Sequence, residues 1–292
     1  IDLDGDADLY TSTDKCGILG TTGNGLYRND GGTFTNISAT SGAGSCLSSM
    51  GVAYGDFDGN GRPDLYCTNT EPGNVLLLNQ GGLTFTHGEV ATGTASYIWS
   101  WGTTMFDYDN DGWLELFVCN RNAADRFYVS GGVFPALDRA ALLGLDTAPT
   151  TFCLAQADID LDGDVDLAVQ VRNLPIQLHI NQEGSLRRWL RLDIVGEFSN
   201  AAAVGARVLV QATGLPAQHR EVCAGTDYKS QSEFALTLGM RSQLVADSIF
   251  VGWPGGSSRI LSGYSTNRAW RLVPPSRLHD ADLDFDVDAQ DF

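Results

Sequence analysis

Acidic side chains recur along this sequence at a spacing suited to holding a hard cation. Three stretches follow the pattern D-x-D-x-(D/N)-G-x-x-(D/E), and they begin at positions 56, 107 and 158, each 51 residues after the one before. In such a loop the side chains at positions 1, 3, 5 and 9 and the carbonyl at position 7 converge, while glycine at position 6 permits the sharp turn. Ligands that are all oxygen favour calcium over zinc. The spacing therefore predicts calcium sites.

The candidate ligands can be read off each loop. In the three complete loops they are Asp56, Asp58, Asn60, the carbonyl of Arg62 and Asp64; Asp107, Asp109, Asp111, the carbonyl of Trp113 and Glu115; and Asp158, Asp160, Asp162, the carbonyl of Asp164 and Asp166. A shortened copy at the N-terminus offers Asp2, Asp4 and Asp8. Carboxylates about 4 Å apart repel by roughly 1 kcal/mol per pair even in water. Turns that are merely solvated are the alternative, but a bound cation would remove this repulsion in every copy, as a structural metal would.

Each acidic loop sits within a longer repeating unit. An apolar segment follows the loop directly, and a Gly-Gly turn with an aromatic residue after it comes next, as in Leu76–Phe85. About four short strands therefore fit into each unit of roughly 50 residues, which is the signature of a β-propeller blade. Residues 1–184 are predicted to form four such blades. Because residue 1 already lies inside a loop pattern, we expect these blades to belong to a larger propeller.

The repeat ends near residue 184, and a different pattern follows. Alternating apolar segments such as Trp189–Val195 and Ala203–Val210, separated by Gly and Pro turns, predict a small β-sandwich-like domain over residues 185–275. An acidic tail over residues 276–292 has EF-hand-like spacing, without the turn glycine; a disordered acidic tail is the alternative. Its candidate ligands are Asp280, Asp282, Asp284, Asp288 and Asp291.

These motifs resemble a known combination of modules. The blades resemble FG-GAP/VCBS repeats, and the second domain resembles the ASPIC/UnbV module that follows such repeats in cartilage acidic protein-like chains of bacterial type. The matching segments in that domain include Gly205–Val208, Ser230–Ser232 and Val251–Gly256. The tail resembles the first loop of a dockerin. The resemblance implies an all-β fold, bound Ca²⁺ and an adhesion or matrix role outside the cell, with no catalytic residues.

Charge and motif content exclude several classes of function. The net charge is −18, from 36 acidic and 18 basic residues, which disfavours nucleic acid and anionic lipid as partners. No run of eighteen apolar residues is present, so membrane insertion is not expected. The histidines lie in unrelated contexts, and no hydrolase or P-loop motif occurs, so we expect no enzyme. A polysaccharide lyase or glycosidase built on a propeller is the catalytic alternative.

The sequence therefore predicts a secreted or cell-surface calcium-binding scaffold with an extracellular protein or glycan as its partner. A lectin-like propeller and a self-assembling filament subunit are further alternatives. Aromatic side chains could stack on sugar rings or pack in a core; they are Tyr97, Trp99, Trp101 and Trp113. The six cysteines suit an oxidising compartment. We predict a disulfide between Cys16 and Cys46, and name Cys67 with Cys119 as the next candidate pair.

Overall fold

The computed structural model describes residues 1–17, 23–70, 72–147, 150–197 and 200–277, and its regular structure is almost entirely β. Four antiparallel sheets follow one another along the chain and form four blades. Blade 1 contains β1 (Leu9–Thr11), β2 (Gly25–Asp30) and β3 (Thr33–Asn36); blade 2 contains β4 (Val52–Gly55), β5 (Asp64–Cys67), β6 (Val75–Gly81) and β7 (Thr84–His87); blade 3 contains β8 (Ser100–Phe106), β9 (Glu115–Asn120), β10 (Arg126–Val129) and β11 (Leu137–Asp138); blade 4 contains β12 (Thr151–Ala157), β13 (Asp166–Val171) and β14 (Gln177–His179). Short helices α1 (Ser38–Ser41) and α2 (Ala140–Leu143) follow blades 1 and 3.

Alternation along the central strands lets each blade bury both of its faces. On β5, Leu65 and Cys67 join the core shared with blade 1, whereas Tyr66 between them joins the core shared with blade 3. On β9, Leu116 faces blade 2 and Phe117 faces blade 4. Successive side chains of a strand point to opposite faces of the sheet. A continuous apolar run therefore packs against the blades on both sides. Each fully buried side chain of this kind contributes about 1.5–3 kcal/mol.

The outer faces of the two end blades are less covered. Leu65 and Leu76 of blade 2 are buried, whereas Leu9, which corresponds to Leu65, is 48% exposed, and Leu178, which corresponds to Leu76, is 59% exposed. The expectation that these blades belong to a larger propeller stays a prediction.

A second all-β domain follows a 3₁₀ turn at Gly184–Leu186. One sheet has the order β18-β15-β23, with β15 and β23 parallel, and the other has the order β17-β16-β20-β21. Their strands, with the small β19-β22 pair, are β15 (Arg188–Ile194), β16 (Arg207–Gln211), β17 (Gln218–Glu221), β18 (Leu236–Arg241), β19 (Val245–Ala246), β20 (Ser248–Gly252), β21 (Ser258–Leu261), β22 (Tyr264–Ser265) and β23 (Arg268–Leu272). Both sheets contribute to a single core that includes Leu190, Val208 and Ile249. A second 3₁₀ turn, Pro275–Arg277, follows β23. The all-β fold class is confirmed.

The second domain docks against the innermost strands of blades 2, 3 and 4. Residues 223–235, which we call the axial segment, contact all three strands. Asp227 forms a β-bridge with Val52 of β4, and Ser232 Oγ accepts a hydrogen bond from the backbone N–H of Gln156 in β12 at 3.1 Å. The Tyr228 ring lies 5.7 Å from that of Trp101 in β8. The axial segment therefore joins blades that are separate in sequence.

One of the two cysteine predictions is confirmed. Cys16 and Cys46 form a disulfide. The second candidate pair is wrong, because Cys67 and Cys119 are both free and buried. Cys67 faces blade 1, where its thiol donates to Tyr10 Oη at 3.4 Å, whereas Cys119 faces blade 4. The alternation of the strands thus directs the two sulfur atoms into different cores.

Candidate metal centres

Each of the three complete acidic loops joins the first two strands of its blade and gathers its carboxylates at one end of the sheet. Positions 1, 3 and 9 come together, with one carboxylate oxygen of each residue within 4.8 Å of the others. The three groups are Asp56, Asp58 and Asp64; Asp107, Asp109 and Glu115; and Asp158, Asp160 and Asp166. Gly112, at position 6, has φ +90°, a left-handed backbone conformation that favours glycine.

Backbone N–H groups hold these carboxylates in the same manner in every loop. The acid at position 9 accepts from the N–H of position 2: Phe57 to Asp64 at 2.9 Å, Tyr108 to Glu115 at 2.7 Å, and Ile159 to Asp166 at 2.8 Å. In blades 2 and 3 the acid at position 1 accepts from the glycine at position 6, at 2.9 Å in both. In every loop the acid at position 9 is therefore held by the loop's own backbone.

Unlike the acids at positions 1, 3 and 9, the residues at positions 5 and 7 are hydrogen-bonded to each other within the loop. The side chains of Asn60, Asp111 and Asp162 accept a hydrogen bond from the N–H at position 7, and Asp111 and Asp162 lie outside the three-acid groups. In these turns a side-chain oxygen at position 5, which the sequence pattern predicts to be a metal ligand, accepts a hydrogen bond from the loop backbone instead. The ligand roles of these three residues, and of the carbonyls of Arg62, Trp113 and Asp164, stay predictions.

The shortened N-terminal copy (loop 1, residues 1–8) does not form such a group in the part of the chain that the structure describes. Asp8 accepts from the α-amino group of Ile1 at 2.8 Å and from the N–H of Asn29 at 2.9 Å. Asp2 accepts from the N–H of Asp4 at 3.2 Å. The tail candidates Asp280, Asp282, Asp284, Asp288 and Asp291 lie outside the described residues.

Burial disfavours the ionised form of the carboxylates in these clusters. It raises the pKa of Asp64 to about 7 and that of Asp56 to about 6, even though backbone N–H groups partly offset the shift. In blade 3, burial raises the pKa of Asp107 to about 7, against the opposing charge of Arg220, and the pKa of Glu115 well above its usual range. Ionised together, these groups would be unfavourable without a counter-charge.

Each cluster also contains one acidic oxygen that the protein itself leaves unpaired. Asp56 Oδ1, Glu115 Oε1 and Asp158 Oδ1 are buried and have no hydrogen-bond partner, and their side chains belong to residues that are 7%, 1% and 5% exposed. A buried polar atom without a partner costs about 1–3 kcal/mol. Because the same defect recurs once in every cluster, the donor sets fit a hard cation.

Sequence reasoning missed a set of asparagines that support the loops. The N–H of Asn79 donates to Asp64 at 2.8 Å, and the N–H of Asn181 donates to Asp166 at 2.7 Å. Their side-chain amides donate to the carbonyl just before that acid. Each asparagine comes 15 residues after the acid, and this repeated spacing could have revealed them. In blade 3 the same spacing falls on Ser130.

The second domain contacts the loops of blades 3 and 4. The N–H of Gly239 donates to Asp107 Oδ2 at 2.9 Å, and Arg241 Nε donates to the carbonyl of Asp111 at 2.7 Å. Glu233 accepts from the N–H of Asp158 at 2.9 Å. These contacts lie beyond the repeat and could not be read from its pattern.

The aromatic candidates divide into two groups. The Trp113 ring packs against Gly59 and Gly132 beside the loops of blades 2 and 3. At the opposite end of β8, Trp99 and Trp101 stack with their centroids 5.9 Å apart, and the guanidinium of Arg121 lies 3.9 Å from the Trp99 centroid. Tyr97 nearby is 76% exposed.

Comparison with known proteins agrees with this architecture. The FG-GAP-like repeat matches residues 1–67, 56–118 and 107–169 in three overlapping copies. The chain belongs to the FG-GAP-like repeat family. The ASPIC and UnbV domain matches residues 196–278 of this FG-GAP-like repeat protein. FG-GAP-like repeats imply propeller-like blades and commonly bind calcium.

A curated relative extends the comparison. The FG-GAP-like repeat protein is 27% identical over 275 residues to cartilage acidic protein 1 of Homo sapiens, a match that covers 86% of this chain and 40% of the relative. The chain thus spans less than half the length of that relative. Neither family description nor the relative's name denotes an enzyme. In the described part of this chain no helix is both long and apolar enough to cross a membrane.

Proposed function

We propose that this protein is an extracellular, calcium-stabilised scaffold in which calcium is structural and the surface binds an extracellular protein or glycan. The observation that carries the proposal is the unpaired, buried acidic oxygen in each of the three clusters. The ions would be held by the acids at positions 1, 3 and 9, and would supply the positive charge that the buried carboxylates require. The ion would also fasten the first two strands of each blade.

An extracellular setting is supported by two features. The Cys16–Cys46 disulfide suits an oxidising compartment. The name of the relative refers to cartilage.

Thermal unfolding in calcium and in EDTA tests the structural role. An ion at a hundred times its dissociation constant contributes about 2.7 kcal/mol per site, and 1 kcal/mol shifts the melting temperature by about 2–4 °C. We therefore expect EDTA to lower the melting temperature by roughly 10 °C or more. Asp58→Asn should remove part of this shift, and Asp146→Asn, an equal charge change at an exposed site, should not. An EDTA melting curve that coincides with the calcium curve would refute the proposal.

A glycan is the second candidate partner, and the aromatic cluster favours it. Exposed aromatic rings stack on the apolar faces of sugars. Tyr97 is exposed and precedes Trp99 by two residues, and the guanidinium of Arg121 lies over the Trp99 ring. Glycan array binding by the calcium-loaded protein, compared with Tyr97→Ala, tests this candidate. Loss of binding in the variant is the expected result, and equal binding by both proteins would exclude this surface.

A further inference from the structure

The three calcium loops share one pattern, but they differ in what surrounds them. Loop 3 (residues 107–115) lies against β18 of the second domain. The N–H of Gly239 donates to Asp107 Oδ2, the N–H of Arg241 donates to the carbonyl of Asn110 at 3.1 Å, and Arg241 Nε donates to that of Asp111. One strand of the second domain therefore contacts the backbone of the loop and the carboxylate at its first position.

Loop 4 (residues 158–166) has a similar but separate support. Glu233 Oε1 accepts from the N–H of Asp158, and the Arg191 guanidinium pairs with Glu233 and lies 3.6 Å from Asp158 Oδ2. The ring of Trp189 packs directly on Gly163, the turn glycine of this loop. All three contacting residues belong to the second domain.

Loop 2 (residues 56–64) is the internal comparison. Within the described ranges, no hydrogen bond joins this loop to the second domain. Its position-9 acid is instead supported by Asn79 of its own blade. The charge of Arg220 acts on both Asp56 and Asp107, so loops 2 and 3 share this electrostatic influence and differ in their hydrogen bonds to the second domain.

We propose that the second domain sets the calcium affinity of loops 3 and 4 by positioning Asp107 and Asp158, whereas loop 2 binds calcium without this support. The inference rests on the proposed function, since it requires that the loops bind calcium. Groups that hydrogen-bond to metal ligands typically change metal affinity 10–100-fold when removed. Linkage then requires that calcium in loops 3 and 4 strengthens the docking of the second domain by the same factors.

The fit at Gly239 makes this contact unusually sensitive to substitution. A Cβ atom at this position would lie 2.2 Å from the carbonyl carbon of Asn110 and 2.3 Å from Asp107 Oδ2. Real Cβ contacts are far longer, and the neighbour at Asn110 is backbone, so Gly239→Ala must displace loop 3 from β18. Arg241→Gln removes the guanidinium without adding volume, and it tests the same loop independently if Gly239→Ala folds poorly.

Calorimetric titration of the full chain with calcium tests the proposal. Single variants Gly239→Ala, Arg241→Gln and Glu233→Ala are compared with Arg259→Gln, whose side chain donates to Val273 within the second domain and away from the loops. We expect Gly239→Ala and Arg241→Gln to weaken one class of site by about tenfold or more, and Glu233→Ala to weaken another. Arg259→Gln should bind as wild type does. Adding Asp58→Asn to these variants should abolish the class of calcium site that they leave unchanged. That result would identify this class of site as loop 2.

The outcomes separate the two proposals. If the wild-type protein takes up no calcium, the proposed function fails. If it binds calcium but Arg241→Gln and Glu233→Ala bind every ion with wild-type affinity, the calcium-binding function stands and the positioning role is wrong. If all classes weaken together, loop 2 depends on docking as well, and the selective form of the proposal is overturned.

Discussion

Blades 2 and 3 are related by a shift of 51 residues, yet they support their acidic loops differently. In blade 2, Asp64 accepts three backbone hydrogen bonds, from Phe57, Asp58 and Asn79. In blade 3, Glu115 accepts one, from Tyr108, and its second oxygen is unpaired. Blade 2 therefore supplies all the hydrogen bonds to its position-9 acid itself, whereas blade 3 supplies one and its loop gains contacts from the second domain. Identical spacing in a repeat does not imply identical energetics.

The other end of the same two blades shows a second difference. In blade 2, Asn74 accepts from the N–H of Asn69 and donates to Ser100 Oγ. The equivalent residue of blade 3 is Asp125, which accepts from the N–H of Asn120 and from Thr151 Oγ1, and leaves one buried oxygen unpaired. In blade 2 both the oxygen and the nitrogen of the Asn74 side chain have hydrogen-bond partners. In blade 3 one oxygen of the Asp125 carboxylate has none.

The largest difference between the blades should appear when the acid at position 9 is removed. We expect Asp64→Ala in EDTA to lose about 3 kcal/mol or more, because three N–H groups, two of them buried, lose their acceptor at about 1–3 kcal/mol each. Glu115→Ala should lose less, since one N–H is affected and a buried carboxyl with an unpaired oxygen is removed. Urea unfolding at neutral pH measures both. Equal losses would show that the backbone contacts do not distinguish the blades.

A smaller contrast is expected at the residue 15 positions after that acid. Asn79→Ala leaves the carbonyl of Pro63 and the N–H of Gly81 without their partner, so we predict a loss of about 1–3 kcal/mol. Ser130→Ala removes a single bond to the N–H of Gly132 in a half-buried turn, and should cost less than about 1 kcal/mol. A larger effect at Ser130 than at Asn79 would contradict the role given to the asparagines.

The smallest expected effect is a gain in stability when Asp125 is replaced. Burial raises the pKa of Asp125 to about 7, so the folded state holds a proton that the unfolded chain releases near its ordinary pKa of about 3.9. Stability from this proton is complete below that value and is lost as pH rises through about 7. Asp125→Asn copies blade 2 and removes this loss, which is about 4 kcal/mol at pH 8 for a shift of this size. It also buries an amide group where Asp125 Oδ2 has no partner, at a cost of about 1–3 kcal/mol. We therefore predict a net gain of roughly 1 kcal/mol or more at pH 8 that is lost by pH 5.

Chemical unfolding of Asp125→Asn and wild type at both pH values measures this difference. Asn74→Asp, the reverse change in blade 2, is the matched control and should destabilise more at pH 8 than at pH 5. A gain from Asp125→Asn that is the same at both pH values would show that ionisation is not its cause.

The repeat and its loops were readable from the sequence because their causes are local. Spacing of Asp, Asn and Gly within nine residues determines the turn, and it correctly brought Asp56, Asp58 and Asp64 together. The Cys16–Cys46 pair was also confirmed. The free thiols of Cys67 and Cys119 were missed because the face of a strand decides their neighbours. The contacts of Gly239 and Arg241 with loop 3 were out of reach, since they join residues 130 and 132 positions apart.

That separation has a consequence for the order in which the protein folds. Hairpins within a blade close over short stretches of chain, whereas the bond between Gly239 and Asp107 spans 132 residues. Long-range contacts form slowly because the chain must first lose the entropy of closing a large loop. Blades 2 to 4 should therefore form before the axial segment docks on them. The protein would then pass through an intermediate in which the innermost strands of these blades are exposed. The docking of the second domain would then be the last committed step of folding.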